Sequence, residues 1–331
     1  MRNSESEHSL RQRAAGWPHE TLLENLTVET LLQITRREGI DFATALLFDR
    51  FQKSQRHGEF IQRIDSSRAF PLPRCGISDV KVVVVPGALY LERPDLGGDG
   101  RLVRDVAERC GWTTDLIPLA SVGSATENAR RICDWLARHS GERMILVSLS
   151  KGGADLKIAF RHASSSTLFR NVAAWVNVCG PLDGSRMANW ILTSRIRTWL
   201  LRLQYRLQKR DFQFVTDLRH GSGSPLNFCP SVPSEMKIIS LVGFPLRQHL
   251  TTPFSRFCHR TLAAHGPNDG TISLSDLPAW PGKIYPAWGM DHYFRPEKVA
   301  RELIAAILQS LNEEITGSKR KGLKITESAA S

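Results

Sequence analysis

Short apolar runs rich in β-branched residues alternate with helical patterns along most of this chain, and this alternation restricts the fold more than any other feature. The run VKVVVVPG at 80–87 is typical of a buried parallel strand that ends in a tight turn. Strands that alternate with helices form a parallel sheet with helices on both faces. We therefore predict a doubly wound, mostly parallel α/β fold, with further strands at 113–118, 143–147, 172–180, 237–243 and 283–289.

A helical extension is predicted ahead of the sheet, over residues 1–72. Residues 1–20 are polar and expected to be loose. In the next segment Thr27 is a suitable N-cap and Gly39 a suitable stop for one helix, and Asp41 is expected to cap a second.

Three boundaries divide the rest of the chain. The segment FPLPRCG at 70–76 indicates a linker, after which an α/β domain is predicted over 73–315. Within that domain, residues 184–230 interrupt the alternation and are predicted to form an inserted helical cap. The polar, basic residues 316–331 are expected to be a disordered tail.

No transmembrane helix is predicted from the sequence. The chain of 331 residues is 41% hydrophobic and 23% charged, and it contains no apolar run of the about 18 residues that a span requires. Its first residues lack an apolar signal segment, so we expect a cytoplasmic protein. The six cysteines contain no CxxC pair and several lie in apolar patterns, which indicates buried thiols in a reducing compartment.

The stretch ILVSLSKGGADLK at 145–157 passes from a predicted strand into a predicted helix through a serine between small residues. Its pattern Ser148-x-Ser150-x-Gly152 differs from the nucleophile elbow G-x-S-x-G only in the first residue. Small residues are needed there because the turn is too tight for bulky side chains. Ser150 is therefore a candidate nucleophile, although a simple polar turn also fits the pattern.

A serine hydroxyl attacks at neutral pH only when a base removes its proton. Two later loops supply suitable groups in the expected order: Asp269 in HGPNDGTISLSD after the fifth strand, and His292 in GMDHYF after the sixth. Asp183, one strand earlier, is a rival acid, and Asp269 is preferred. Asp269 could also be a turn former, and His292 a surface or capping residue.

Three neighbouring groups are expected to have lesser roles. Asp291 can hardly face the ring of the adjacent His292, and His265 is expected to be structural or to line the pocket. The side chain of Lys151 is expected to point away from the site, which leaves its backbone amide as the useful part.

Together these segments resemble the α/β-hydrolase superfamily and, within it, the lipase and esterase branch. The resemblance covers about 79–312 and rests on VVVVPGALY, SLSKGG, VCGPLDGSRMANW, and NDGTISLS with MDHYF, which occur in the family's order. It implies that Ser150 is the nucleophile, that His292 is general base and then general acid, and that Asp269 orients the imidazole.

The same resemblance implies an oxyanion hole made by the backbone N–H groups of Ala88 and Lys151. Family members often have His-Gly where this chain has Pro86-Gly87. Because the donor is a backbone amide, this difference need not abolish the hole.

The function implied by the resemblance is a serine hydrolase that cleaves a small-molecule or lipid-like carboxylic ester with an apolar acyl or alkyl part. No cofactor is implied, and no metal, because the cysteines and histidines lack ligand spacing. An acyltransferase or thioesterase with the same groups is the alternative among enzymes. A non-catalytic, hydrolase-like binding module is the alternative from another class.

The predicted cap contains an amphipathic, basic helix. The segment SRMANWILTSRIRTWLLRLQYRLQKR at 185–210 has seven basic residues and no acidic one, against a net charge of +11 for the whole chain. Its apolar stripe is expected to cover an acyl pocket, and its charge also favours peripheral contact with an anionic membrane. Nucleic-acid binding is not expected, because no recognised module is present. The stripe consists of Ile196, Trp199, Leu200, Leu203 and Leu207.

Overall fold

The computed structural model describes residues 5–18, 22–68, 79–162, 165–208 and 210–328, without the side chains of Ser165 and of the residues after Thr316. The linker predicted at 70–76 lies outside these ranges. Within them, no helix is both long enough and apolar enough to cross a bilayer.

Among the described residues, four α-helices precede the sheet: α1 (Glu7–Ala15), α2 (Val28–Glu38), α3 (Ile40–Lys53) and α4 (Gly58–Ser66). Thr27 is confirmed as the N-cap of α2, since its hydroxyl accepts the N–H of Thr30. The expectation of a loose 1–20 segment is wrong for α1, because Leu10 is buried there in an apolar cluster with residues of α3.

Asp41 is not the cap that the sequence predicted. Helix α3 begins one residue earlier, directly after Gly39, whose φ of 93° lets the chain turn from α2 into α3. The Asp41 carboxylate instead accepts the backbone N–H of Arg247 at 2.9 Å. Asp41 thus bonds a residue 206 positions away in the chain instead of capping its own helix.

In the part of the chain that the structure describes, six strands form one parallel sheet in the order β2-β1-β3-β4-β5-β6. The predicted parallel sheet is confirmed, and each predicted strand is present. The interiors of β1 and β3–β6 are buried, which explains why these strands occur as nearly continuous apolar runs, whereas β2 is partly exposed. The strands are β1 (Val80–Val85), β2 (Thr113–Leu116), β3 (Arg143–Leu149), β4 (Val172–Val178), β5 (Lys237–Phe244) and β6 (Lys283–Trp288).

Helices connect successive strands and flank the sheet. Helix α5 packs against the last helix, α13, and α6 packs against α7. The predicted cap region contains α9, α10 and α11. These helices are α5 (Arg101–Arg109), α6 (Ala125–Arg138), α7 (Lys151–Ala159), α8 (Ser165–Leu168), α9 (Arg186–Leu192), α10 (Arg195–Leu207), α11 (Gln213–Asp217), α12 (Pro253–Leu262) and α13 (Glu297–Ser328).

The structure differs from the prediction of a disordered tail over 316–331, because α13 continues to Ser328. No proline follows Pro296, so nothing in the backbone forces the amphipathic helix to stop near residue 316.

The N-terminal helices share the hydrophobic core of the sheet. Phe51 of α3 and Ile64 of α4 belong to the same buried cluster as the residues of β1, and both helices pack against the edge strand β6. The Nδ1 atom of His57 accepts the N–H of Ile284 on this strand at 3.1 Å. Burial lowers the pKa of His57 to about 4, which keeps the ring neutral as an acceptor. The extension thus covers an edge that would otherwise present unpaired amides.

Among the described residues, Cys133, Cys179, Cys229 and Cys258 are free thiols. The prediction of burial is confirmed for Cys110, Cys133, Cys179 and Cys258, whereas Cys229 is exposed.

Candidate active site

The order of the strands places a cleft between β1 and β3. The chain continues from β1 to β2 on one side and then crosses to β3 on the other side. At such a switch point, the loops after the two strands diverge and leave room for a ligand at the carboxyl ends of the strands. Ser150 directly follows β3, and Ala88 follows β1 after Pro86 and Gly87.

Ser150 lies on a sharp and strained turn between β3 and α7. Its φ of 45° and ψ of −122° are rarely adopted by a residue with a side chain. A Cβ atom at Gly152 would lie 2.5 Å from the carbonyl oxygen of Val85, so only glycine fits at that position. This is the geometry of a nucleophile elbow, which raises the serine above the end of the sheet.

Ser148, which stands where the elbow pattern has glycine, is fully buried. Its hydroxyl accepts the indole N–H of Trp175 at 2.8 Å and donates to the side-chain oxygen of Asn177 at 3.1 Å. These bonds satisfy the hydroxyl, so a second serine is accommodated without an unpaired buried group.

The structure brings together the three residues that the sequence selected. The Oγ atom of Ser150 lies 2.9 Å from Nε2 of His292, and Nδ1 of the same ring lies 2.8 Å from Oδ2 of Asp269. Asp269 is completely buried and His292 is nearly so. The hydroxyl, the imidazole and the carboxylate thus form one hydrogen-bonded chain.

Asp269 is held in place by its own loop. Its Oδ1 atom accepts the backbone N–H groups of Thr271 at 2.8 Å and Ile272 at 2.6 Å, which leaves Oδ2 for the imidazole. Burial alone would lower the pKa of His292, but the charge of Asp269 and its hydrogen bond outweigh burial and raise that pKa. The ring therefore gains affinity for a proton from its acidic neighbour.

Asp183, the rival acid, and Asp291 have other partners. The carboxylate of Asp183 accepts the indole N–H of Trp280 at 2.6 Å and the ammonium of Lys157 at 3.2 Å. Asp291 accepts the backbone N–H groups of Tyr293 and Arg295 on Oδ1. The carboxylate bonded to His292 is that of Asp269.

The two predicted amide donors line the same cavity as Ser150. Lys151 is the first residue of α7, and the first N–H groups of a helix have no acceptor within it. Ala88 lies between Gly87 and Leu89, whose amides donate to Gly98 and Ser121 in the loop around the cavity. Both residues therefore adjoin the part of the cavity beside Ser150.

A cavity of about 290 Å³ adjoins Ser150 and His292. Its wall is mostly apolar, and it lies at the carboxyl ends of the strands. The insertion between β4 and β5 contributes Ser185, Phe214 and Leu218 to this wall. His265 was expected to be structural or to line the pocket. It is not part of the cavity wall, and its carbonyl oxygen accepts a hydrogen bond from the hydroxyl of Ser275.

The side chain of Lys151 is buried and bonded within its own helix. Its ammonium bonds both carboxylate oxygens of Asp155, at 2.6 and 2.7 Å, and both side chains are about 2% exposed. Asn128 donates a further hydrogen bond to Asp155 at 2.8 Å. Sequence reasoning missed this ion pair, although the spacing of four residues on one helix was a visible signal.

Cys179 is a second residue near the site that the sequence did not single out. Its sulfur lies within 4.8 Å of the ligand atoms of Asp269 and His292, the spacing of a possible metal site among the described residues. Burial and the Asp269 charge raise the pKa of this thiol well above its usual value. Because metals bind thiolates and Asp269 is already bonded to His292, the donor set does not favour a resident metal.

The apolar stripe of α10 does not cover the cavity, so this prediction is wrong. Ile196, Trp199 and Leu207 are 72%, 62% and 76% exposed, and no residue of α10 is part of the cavity wall. The position next to the cavity is occupied by α11, which presents Phe214. Helix α11 is fixed there by Asp217, whose carboxylate accepts the N–H of Ala125 at 2.7 Å.

Comparisons with known proteins agree with this architecture. No family model matches the chain, and no curated protein matches it significantly. A solved structure of a metagenomic carboxyl esterase is similar to it with a TM-score of 0.52 and 23% identity, over 72% of this chain and 78% of the other. The Bacillus licheniformis lipase BlEst2 in its propeptide form has a TM-score of 0.50 and 20% identity, over 70% of this chain and 50% of the other. The chain therefore has the α/β-hydrolase fold that the sequence predicted.

Proposed function

We propose that this protein is a serine hydrolase that cleaves a carboxylic ester with an apolar acyl or alkyl part. The observation that carries the proposal is the hydrogen-bonded chain from Ser150 through His292 to Asp269, with distances of 2.9 and 2.8 Å. Ser150 lies on a strained turn, and both Ser150 and His292 line an apolar cavity. The similar structures are those of a carboxyl esterase and a lipase, which supports ester chemistry.

In the proposed reaction, the Oγ atom of Ser150 attacks the ester carbonyl while Nε2 of His292 takes its proton. The carboxylate of Asp269 stabilises the imidazolium that forms. The backbone N–H groups of Ala88 and Lys151 bind the oxyanion of the tetrahedral intermediate. His292 then protonates the departing alcohol, which leaves an acyl group on Ser150, and water removes that group by the same steps with His292 again as base.

The cavity supports an apolar group on the substrate. Most of its lining side chains are aliphatic or aromatic, and burial of each methylene of a bound chain contributes about 0.8 kcal/mol. The apolar lining consists of Leu89, Leu96, Leu102, Val103, Leu149, Val178, Phe214, Leu218, Phe254, Ile272, Phe294 and Ile304.

A fluorophosphonate probe tests the nucleophile directly, since it forms a covalent bond with an activated serine. We expect one probe molecule per chain on Ser150, and no labelling of Ser150→Ala. Ser148→Ala is the matched control, because it removes the other hydroxyl of the elbow and should still be labelled. A folded wild-type protein that takes up no probe would refute the proposed function and favour a non-catalytic binding module.

The pH dependence of catalysis follows from the pKa of His292. We expect kcat/KM for a soluble ester to fall as the pH drops through that pKa, because the protonated ring cannot accept the serine proton. Asp269 raises the pKa, so the midpoint should lie above the value of about 6.5 for an isolated histidine. A pH profile of kcat/KM with its acid limb below that value would contradict this assignment of the base.

A further inference from the structure

Helix α10 exposes an apolar stripe that nothing in the described part of the chain covers. The five residues of the stripe are 41% to 76% exposed, and Trp199, the largest, is 62% exposed. The helix has 13 residues and is therefore about 20 Å long. Single exposed apolar side chains are ordinary, but a continuous row of five marks an interaction surface.

Helix α12 extends this surface. Phe254 and Phe257 are 58% and 40% exposed, and both helices contact Trp190 of α9. The ring of Trp190 packs against that of Phe257 at 5.7 Å, while the guanidinium of Arg197 on α10 lies 3.9 Å from the centre of the Trp190 ring. We call the exposed residues of α10 and α12 the arginine-rich face.

The charge of this face has one sign. Helices α10 and α12 contain no acidic residue, and their exposed charges are those of Arg195, Arg202, Arg206, Arg256 and Arg260. Basic side chains beside an exposed apolar row, with a tryptophan in it, are typical of a helix that lies in the interface of a membrane. Each basic residue near an anionic surface contributes to binding, and aromatic side chains settle at the level of the headgroups.

We propose that the arginine-rich face binds the surface of an anionic phospholipid bilayer. A second copy of the chain is a poorer occupant, because two such faces would bring ten exposed arginines together without an acidic partner on either helix. A bilayer with anionic headgroups offers both negative charge for the arginines and an apolar layer for the stripe.

The same face adjoins the cavity beside Ser150. Phe254 is a wall residue of the cavity and is also exposed on the arginine-rich face. Binding to a bilayer would therefore bring this wall of the cavity to the lipid surface. In this respect the inference deepens the proposed function, since it implies a substrate drawn from the membrane, whereas the binding itself requires no catalysis.

Sedimentation with vesicles tests the inference on the full-length protein. We expect the protein to sediment with vesicles of phosphatidylcholine mixed with phosphatidylglycerol, and not with phosphatidylcholine alone. Binding should weaken as salt is added, because salt screens the arginines. The inactive Ser150→Ala variant should bind equally well, so a failure of the catalytic proposal would leave this result unchanged.

Two double variants separate charge from apolar contact. Arg195→Glu with Arg206→Glu is expected to weaken binding to the mixed vesicles by about tenfold or more, and Trp199→Ser with Leu203→Ser should also weaken it. All four side chains are exposed, so folding should be preserved. The hydrolysis of a short, soluble ester should be unchanged in both variants.

The matched control changes the net charge equally at a distant site. Arg138 and Arg170 are exposed and precede β3 and β4, at the amino-terminal edge of the sheet, away from the cavity. Their double replacement by glutamate should leave vesicle binding intact. Equal binding to both kinds of vesicle, binding to neither, or equal losses in the control and the α10 variants would overturn the inference. A dimer that the α10 variants dissociate, without vesicle binding, would assign the face to a second copy.

Discussion

Asp269→Asn is expected to lower kcat by about four orders of magnitude while the protein stays folded. In Asp269 one oxygen accepts the amides of Thr271 and Ile272, and the other accepts Nδ1–H of His292. In the variant, the amide oxygen would keep the two backbone bonds, and the NH₂ group would then face Nδ1. The ring would adopt the other tautomer, with its proton on Nε2, and could not accept the proton of Ser150.

Asp183→Asn is the matched control for this prediction. The carboxylate of Asp183 bonds Trp280 and Lys157 rather than the imidazole, so the variant should keep most of its kcat. Its oxygen can still accept the indole N–H, and we expect a modest loss of stability, about 1 kcal/mol. Steady-state kinetics with a soluble ester, together with thermal unfolding, would check both variants. An inactive Asp183→Asn beside an active Asp269→Asn would show that the acid is wrongly assigned.

The sheet and the site at its edge could be predicted because their signals are local and ordered along the chain. Each buried strand is a short apolar run, and Ser150, Asp269 and His292 each follow a different run. In a parallel sheet the carboxyl ends meet at one edge, so the order of strands already implies that these side chains converge. No sequence signal gives their distances.

The ion pair of Lys151 and the position of Cys179 could not be predicted in the same way. Whether a lysine is directed to solvent or into the protein depends on what packs over the helix, and here Asn128 and Asp155 form a buried polar site beneath it. Cys179 lies near Asp269 only because β4 and β5 are neighbours in the sheet. The contacts of Asn128 with Asp155 and of Cys179 with Asp269 join distant segments, which a pattern within one segment does not report. The spacing of Lys151 and Asp155 was visible in the sequence, but their burial was not.

The apolar stripe of α10 shows a second limit. Periodicity reveals that a helix has an apolar side, but not which surface covers that side. From the sequence, the stripe of α10 was predicted to cover the cavity. In the structure α11 lies next to the cavity, and the stripe of α10 is exposed. The N-terminal residues illustrate the same point, because α1 and Asp41 are placed by contacts with α3 and with the loop after β5.

Lys151→Met is expected to destabilise the protein by about 3–5 kcal/mol, because it leaves the buried carboxylate of Asp155 without its ammonium partner. Among the described residues, Asn128 would then donate the remaining side-chain hydrogen bond to Asp155. Burial raises the pKa of Asp155 and Lys151 opposes that rise, so removal of the ammonium raises the pKa further. The native state of the variant then binds a proton more readily than its unfolded state does, and its deficit relative to the wild type should shrink as the pH falls.

The double variant Lys151→Met with Asp155→Leu removes both charges from the buried site. If the loss in the single variant arises from an unpaired charge, the double variant should regain most of the stability, because an apolar pair of similar volume costs little in a buried position. Denaturant unfolding of the wild type, both single variants and the double variant measures the coupling between the two residues. If the losses of stability in the two single variants simply add in the double variant, packing and not the ion pair is the reason that Lys151 stabilises the fold.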